Sequence, residues 1–251
     1  MIVVYNGLFS GFLSAVYEIY YLKIIPENIT PIVKEAGLFS KIIVTDHDAI
    51  KSIKVMKAIK KKVSNSFYIL IEVIFNSQKT GIEMLLYQLI QKILKSTSSI
   101  ELNYSDPIVR EVLKIERQFY KEVHRMHAFV RFEKHKDVFL ATITPDLNMI
   151  PFIGKFFADR FSDQEWAIID LNRKVGLYYN KQNLSYLKSD MLTEFMVMKQ
   201  NKIQQEFNIV DQWKTYFNSV NIKERENLQL QRNHMPQRYW KYLPEMGDEK
   251  L

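Results

Sequence analysis

VFLATITPDLNMIPFIGKFFADRFSDQEWAIIDLNRKVGLYY, residues Val138–Tyr179, decides the fold class. Val138–Thr144 is an apolar run of strand length that stops at Pro145-Asp146. Pro151–Phe161 carries apolar side chains at helical spacing behind an opening proline. Trp166–Leu171 and Gly176–Tyr179 read as two further strands, with Asn172-Arg173-Lys174 as their turn. Upstream, Phe129–Glu133 reads as a strand joined to Val138 by the charged turn Lys134–Asp137. Residues 125–188 therefore predict a β-β-α-β-β block, one antiparallel sheet with a helix across it.

Working outward toward the N-terminus, Ile2–Tyr5 is a short apolar strand ending at Asn6-Gly7. Gly11–Leu22 has helical periodicity, with Ser10 as the expected N-cap. Lys41–Thr45 reads as a second strand. Asp46 and Asp48 then stand where carboxylates favour the start of the helix Ala49–Lys62. This β-α-β-α opening suggests parallel pairing. Phe67–Thr97 and Pro107–Glu122 are helical in pattern, the second entered through Ser105-Asp106-Pro107. Toward the C-terminus a long polar helix is expected over Asp190–Ser219. The class expected is α+β: a mixed start, a helical middle, the sheet block and a helical C-terminal region. One compact unit over residues 1–251 is the expected organisation, with 1–124 and 125–251 as its natural subdivision.

The chain has 251 residues, 47% hydrophobic and 25% charged, a balance that favours a globular core over disorder. Cysteine is absent, which excludes disulfides, thiolate nucleophiles, zinc ribbons and cysteine-ligated clusters. It also excludes the zinc nucleobase deaminases, whose metal site needs a cysteine pair. No apolar run is long enough to span a bilayer, and the start MIVVYNGLFSGFL lacks the basic region of a signal peptide. The cytoplasm is the expected location. The net charge of +7 favours acidic partners without choosing among them.

Four constellations carry chemical potential. The tail MPQRYWKYLPE, Met235–Glu245, sets Arg238 and Lys241 among Tyr239, Trp240 and Tyr242, with Arg225 and Arg232 upstream and no acid between Asn227 and Pro244. Cations neutralise phosphates and planar rings stack on bases, whereas a hydrophobic clasp would turn the same rings inward. Lys51, Lys54, Lys57 and Lys60 recur every third residue, with Lys61 and Lys62 behind them. They form either a solvated helix face or a phosphate grip. Glu122, His124 and His127 form a polar knot whose spacing is not that of HExxH, so it reads as a metal corner or as hydrogen-bonded histidines. Asp146 and Asn148 close one strand and Asp170 another, positions that suit either Mg²⁺ ligands or turn formation. That last pattern weakly resembles nucleases with a Pro-Asp motif followed by Asp/Glu-x-Lys, but Asn172 stands in place of the lysine. The dinucleotide, P-loop and nucleophile-elbow fingerprints are all missing.

Four stretches together resemble one known group: YNGLFSGFLSAVYE at Tyr5–Glu18, EVHRMHAFVRF at Glu122–Phe132, TPDLNMIPFIGKFFADRF at Thr144–Phe161, and NHMPQRYWKYLPE at Asn233–Glu245. The chain is similar to an uncharacterised bacterial family associated with DNA metabolism or DNA repair. Its members are typically encoded beside a radical SAM protein and are sometimes fused to a uracil-DNA-glycosylase-like domain. The resemblance implies a pathway rather than a reaction. It singles out His124, Arg125, Arg131, Asp146, Asn148, Arg160, Asp170, Arg225, Arg238 and Lys241 as recurrent polar positions. This chain departs from the pattern at Phe156, where the resemblance leads one to expect histidine.

Two functions are expected on these grounds. In the first, the protein binds DNA or RNA as accessory partner of a radical SAM enzyme, through Lys51, Lys54, Lys57, Arg225, Arg232, Arg238, Tyr239, Trp240 and Lys241. In the second it is itself a metal-dependent phosphodiesterase or a base-processing repair enzyme. His124, Asp146, Asp170 and Arg131 would then be catalytic, with Arg173 stabilising phosphate charge. No cofactor is required by the sequence.

Overall fold

The computed structural model of the chain describes residues 1–31, 41–187, 189–200 and 207–246. The chain divides into two compact units, Met1–Tyr120 and Lys121–Leu251. Both mix helix and strand, in keeping with the expected α+β class.

In the first unit, β1 (Ile2–Val4) is flanked by β2 (Asn28–Thr30) and β3 (Ile42–Val44), both parallel to it, with Val3 opposite Ile29 and Ile43. Parallel neighbours need crossovers, and α1 (Phe9–Tyr21) supplies the one from β1 to β2. α1 begins earlier than expected. The Asn6 carboxamide accepts the Leu8 N–H at 3.1 Å and Gly7 sits at φ +80°, so the turn is complete by Leu8 and Ser10 lies inside the helix, not at its cap.

α2 (Ala49–Lys60) is capped as its sequence predicts, by Asp48 accepting from the Ile50 and Lys51 N–H groups at 2.8 and 3.1 Å. The single helix expected over Phe67–Thr97 is two, α3 (Asn65–Asn76) and α4 (Ile82–Lys95). Between them Gln78 and Gly81 take left-handed backbone (φ +53° and +77°), which no helix continues through. α5 (Pro107–Phe129) opens on Asp106, which accepts from the Ile108 and Val109 N–H groups at 2.8 and 3.3 Å. The division between the units falls within α5. The core of the first unit gathers Phe12, Ile19, Ile71, Leu86, Ile90 and Val112, all nearly or fully buried.

The second unit is built on a five-stranded sheet in the order β4 (Glu133–His135), β5 (Val138–Ile143), β6 (Glu165–Asp170), β7 (Val175–Asn180), β8 (Leu184–Tyr186). The sheet is mixed rather than wholly antiparallel, because β5 and β6 run parallel, with Leu140 opposite Ala167 and Ile143 opposite Asp170. The cause is α6 (Ile150–Arg160), which carries the chain back to the starting edge before β6 begins. The outer pairs are antiparallel.

Phe129 belongs to α5 and not to a strand, so the first hairpin is shorter than expected and turns at Lys136, φ +56°. β6 is covered on both faces. Trp166 and Ile168 lie on one face, where Trp166 meets Phe132 and Phe157; Ala167 and Ile169 lie on the other, in a cluster with Phe195 of α7 (Ser189–Gln200). The long helix expected over Asp190–Ser219 is described as α7 and α8 (Phe207–Val220); residues 201–206 of that expectation, like residue 188 of the sheet block, lie outside the described residues. α9 (Leu228–His234) and 3-10 turns at Gln237–Tyr242 and Pro244–Met246 follow.

Gly176 lets β7 and the chain after β8 approach closely: a Cβ there would lie 2.7 Å from the Ile168 carbonyl oxygen and 2.6 Å from Leu187 Cδ1. Since the first of these neighbours is backbone inside a sheet, it cannot give way. Gly176→Ala is expected to lower stability by about 1–3 kcal/mol. A urea melt should show the loss as a lower midpoint with an unchanged m-value.

Candidate functional site

The tail folds back as a clasp within the second unit. Tyr239 and Leu243 are each 3% exposed, and the Tyr239 ring lies 5.5 Å from that of Phe129. Tyr242 donates its hydroxyl to Thr144 Oγ1 at 2.9 Å, and the Trp240 indole N–H is satisfied by the Met235 carbonyl at 2.9 Å. Glu245 accepts from Arg131 Nη2 and from the Trp213 indole N–H, both at 3.0 Å.

At the centre of the clasp is the Glu122 carboxylate, only 4% exposed. Tyr239 donates its hydroxyl to Glu122 Oε1, while Arg238 Nη2 donates to Glu122 Oε2 at 2.7 Å and to the Tyr239 oxygen at 2.9 Å. Arg238 Nη1 reaches Asp146 on the outside, and Arg125 Nη1 adds charge 3.6 Å from Glu122. A buried carboxylate is tolerable only when its lone pairs and its charge are both answered, and Arg238 and Tyr239 answer them. Burial, and after it the neighbouring Glu122 charge, push the Tyr239 phenol well above the ordinary tyrosine range, so it remains a neutral donor.

A second arginine ties the loops that follow β5 and β6. Arg173 Nη1 donates to the Pro145 carbonyl at 3.1 Å and to Asp170 Oδ2 at 2.9 Å, and Nη2 donates to the Asp146 carbonyl at 2.7 Å. Asp170 is fully buried, and its Oδ1 also accepts the Asn172 and Arg173 N–H groups at 2.9 and 3.2 Å. This is turn formation as the Asp-x-Asn-Arg run permits. Both aspartates singled out from the sequence thus face arginines. Among the described residues no three His, Asp or Glu side chains gather closely enough to hold a metal ion, so His124, Asp146 and Asp170 form no such group. His124 is exposed on α5, and Asn148 is 8% exposed with its Oδ1 unpartnered among the described residues.

The other cations divide into held and open. Lys51 is held by Glu18 and by Asp48, the latter at 3.6 Å, so the lysine stripe is not wholly unneutralised. Lys54 and Lys60 stand over the rings of Tyr17 and Tyr68 at 5.5 and 4.4 Å. Lys57 and Lys61 are exposed, and Lys54, Lys57, Lys60 and Lys61 make no ion pair with a described residue. Arg225 and Arg232 are exposed, and Lys241 lies over Tyr242 at 4.9 Å.

A cleft of about 620 Å³ opens in the second unit between the end of α5, the sheet and α6. Phe132, Phe139, Phe156, Phe157 and Trp166 form its apolar walls, and His127, Arg131, Arg160 and Gln164 its polar ones. His127 stacks on Phe156 with centroids 3.8 Å apart and planes 14° apart. Burial, and then the charge of His124, lower the His127 pKa. Sequence reasoning identified His127, Arg131 and Arg160 but missed the aromatic lining. Those phenylalanines recur at helix and strand spacing, where core burial is the default.

A family model described as a domain of unknown function, DUF4130, matches residues 80–245, and the chain belongs to that family. The match takes in the polar knot, the Thr144–Phe161 run and the tail, while the opening Tyr5–Glu18 stretch lies outside it. Comparison with curated proteins returned no match.

Three outcomes follow from this geometry. Tyr239→Phe, which deletes a donor to a buried charged acceptor, is expected to cost about 1.5–3 kcal/mol and to speed proteolysis of the tail. Arg238→Ala and Glu122→Gln should couple in a double-mutant cycle. His127 has a folded-state pKa below its unfolded value, so its contribution is full above about pH 6.5 and is lost as the pH falls toward the folded pKa. Denaturant melts should show stability falling as the medium is acidified below that point, and His127→Gln should remove part of the fall.

Proposed function

We propose that this member of the DUF4130 family is a cytoplasmic nucleic-acid-binding accessory protein of DNA metabolism or repair that works beside a radical SAM enzyme. The observation that carries the proposal is the face of α2 and its C-cap, where Lys54, Lys57, Lys60 and the capping Lys61 are not ion-paired to any described residue. Such a row neutralises successive phosphates and releases their counterions without reading sequence. The net charge of +7 adds long-range attraction, and the resemblance of the polar knot and the tail to the DNA-metabolism family supplies the pathway and the partner. The tail enters differently from the expectation drawn on its composition. Arg238 and Tyr239 are committed to Glu122, which leaves Arg225, Arg232 and Lys241 as its outward cations.

The alternative, an enzyme acting through Asp146 and Asp170, gains little support from carboxylates already engaged by Arg238 and Arg173.

Fluorescence anisotropy with labelled single-stranded DNA, duplex DNA and RNA across a salt series tests the proposal. Binding should fall linearly on a log–log plot. The double variant Lys54→Gln/Lys57→Gln should weaken all sequences alike and reduce the slope by about 2. Lys51→Gln should change it less, since Lys51 is already held by Glu18. Absence of binding to every probe at low salt, with and without the co-purified radical SAM partner, overturns the proposal.

A further inference from the structure

The cleft of the second unit has a composition that core formation does not explain. It is open, about 620 Å³, within the range of small-ligand pockets. Two polar atoms of its lining residues are buried without a hydrogen-bond partner among the described residues, His127 Nε2 and Trp166 Nε1. A buried unpaired donor or acceptor is costly, so two on the lining residues of one cleft are an uncommon concentration. No carboxylate is among the described lining residues, whereas two arginines are. Arg131 is fixed by Glu245 and by the Ala128 carbonyl at 2.7 Å, but Arg160 is exposed, resting over Phe161 at 5.7 Å. The Gln164 side chain makes no hydrogen bond to a described residue and offers a donor and an acceptor side by side.

From these features we infer that the cleft binds a nucleotide: a planar heteroaromatic base against the Phe132, Phe139 and Phe156 rings, with an anionic phosphate at Arg160. Flat aromatic walls suit any π-face. The polar complement is more selective, because a base edge presents both acceptors and donors, the kinds of partner that the Trp166 indole N–H, His127 Nε2 and the Gln164 amide lack among the described residues. A simple apolar ring would leave all three unpaired. A lining with no carboxylate among the described residues, and an exposed Arg160 guanidinium that makes no ion pair with a described residue, favour an anion over a neutral nucleoside. The inference stands apart from the lysine face of α2, since a free mononucleotide suffices for it. The same chemistry arises from a free nucleotide or from one exposed at an unpaired position in a strand.

Ligand-detected NMR on the full chain, with the four deoxynucleoside 5′-monophosphates and with base-free ribose 5-phosphate, tests the inference. At least one mononucleotide should bind while ribose 5-phosphate does not. Gln164→Ala and Arg160→Gln should each weaken that binding about tenfold, with Phe156→Leu as a third probe of the wall. Unchanged circular dichroism and melting establish that each variant folds, and Gln164 and Arg160 lie outside the sheet core, so the test does not hang on Phe156. Competition by the mononucleotide against an oligonucleotide carrying one unpaired base, but not against a fully paired duplex, assigns the strand as the natural source; no competition against either assigns the free nucleotide. Absence of binding by all four mononucleotides to folded protein overturns the inference, as does ribose 5-phosphate binding equally well. Neither result touches the salt-dependent binding assigned to α2, which Gln164→Ala leaves unchanged.

Discussion

A carboxylate buried to 4% exposure must be met by hydrogen bonds and by positive charge, and at Glu122 both come from the same two residues, 116 and 117 positions downstream. That requirement organises the C-terminal half of the chain. It turns Tyr239 inward, sets the direction in which Arg238 leaves the backbone, and brings Asp146 into the same network from the loop after β5. Around it Tyr242 reaches Thr144 and Glu245 reaches Arg131, so the tail is attached at several points instead of lying loose. Replacing such an ion pair by apolar groups of similar volume often costs nothing, whereas removing one partner leaves a buried charge unanswered.

How much of this was legible beforehand depended on how local the cause was. The caps of α2 and α5 follow from Asp48 and Asp106 because a cap is decided within four residues. The strands β2 and β8, Asn-Ile-Thr and Leu-Ser-Tyr, were not foreseen, since three residues carry no period and only a neighbouring strand makes them strands. The parallel pairing of β5 with β6 was missed for a related reason. Strand direction depends on where α6 delivers the chain, and alternation within a strand says nothing about that.

The candidate site divides the same way. Asp146, Asp170 and Arg238 were singled out as chemical groups, but their geometry shows each engaged with a partner of opposite charge, and opposite charges far apart in sequence leave no pattern to read. Glu122 was visible only as one polar residue in a knot. The walls of the cleft were invisible because Phe139, Phe156 and Trp166 occur at spacings that also describe an ordinary core.

Arg238 is held at two ends that differ in kind. Glu122 is 4% exposed, whereas Asp146 on the other end is 65% exposed. Mobile ions screen the outer contact and scarcely reach the inner one. Rising ionic strength therefore frees one end of the guanidinium and leaves the other fixed. The arginine becomes a pivot: the Asp146 carboxylate lets go of it while Arg173 still holds the Asp146 carbonyl and the tail stays docked on Glu122.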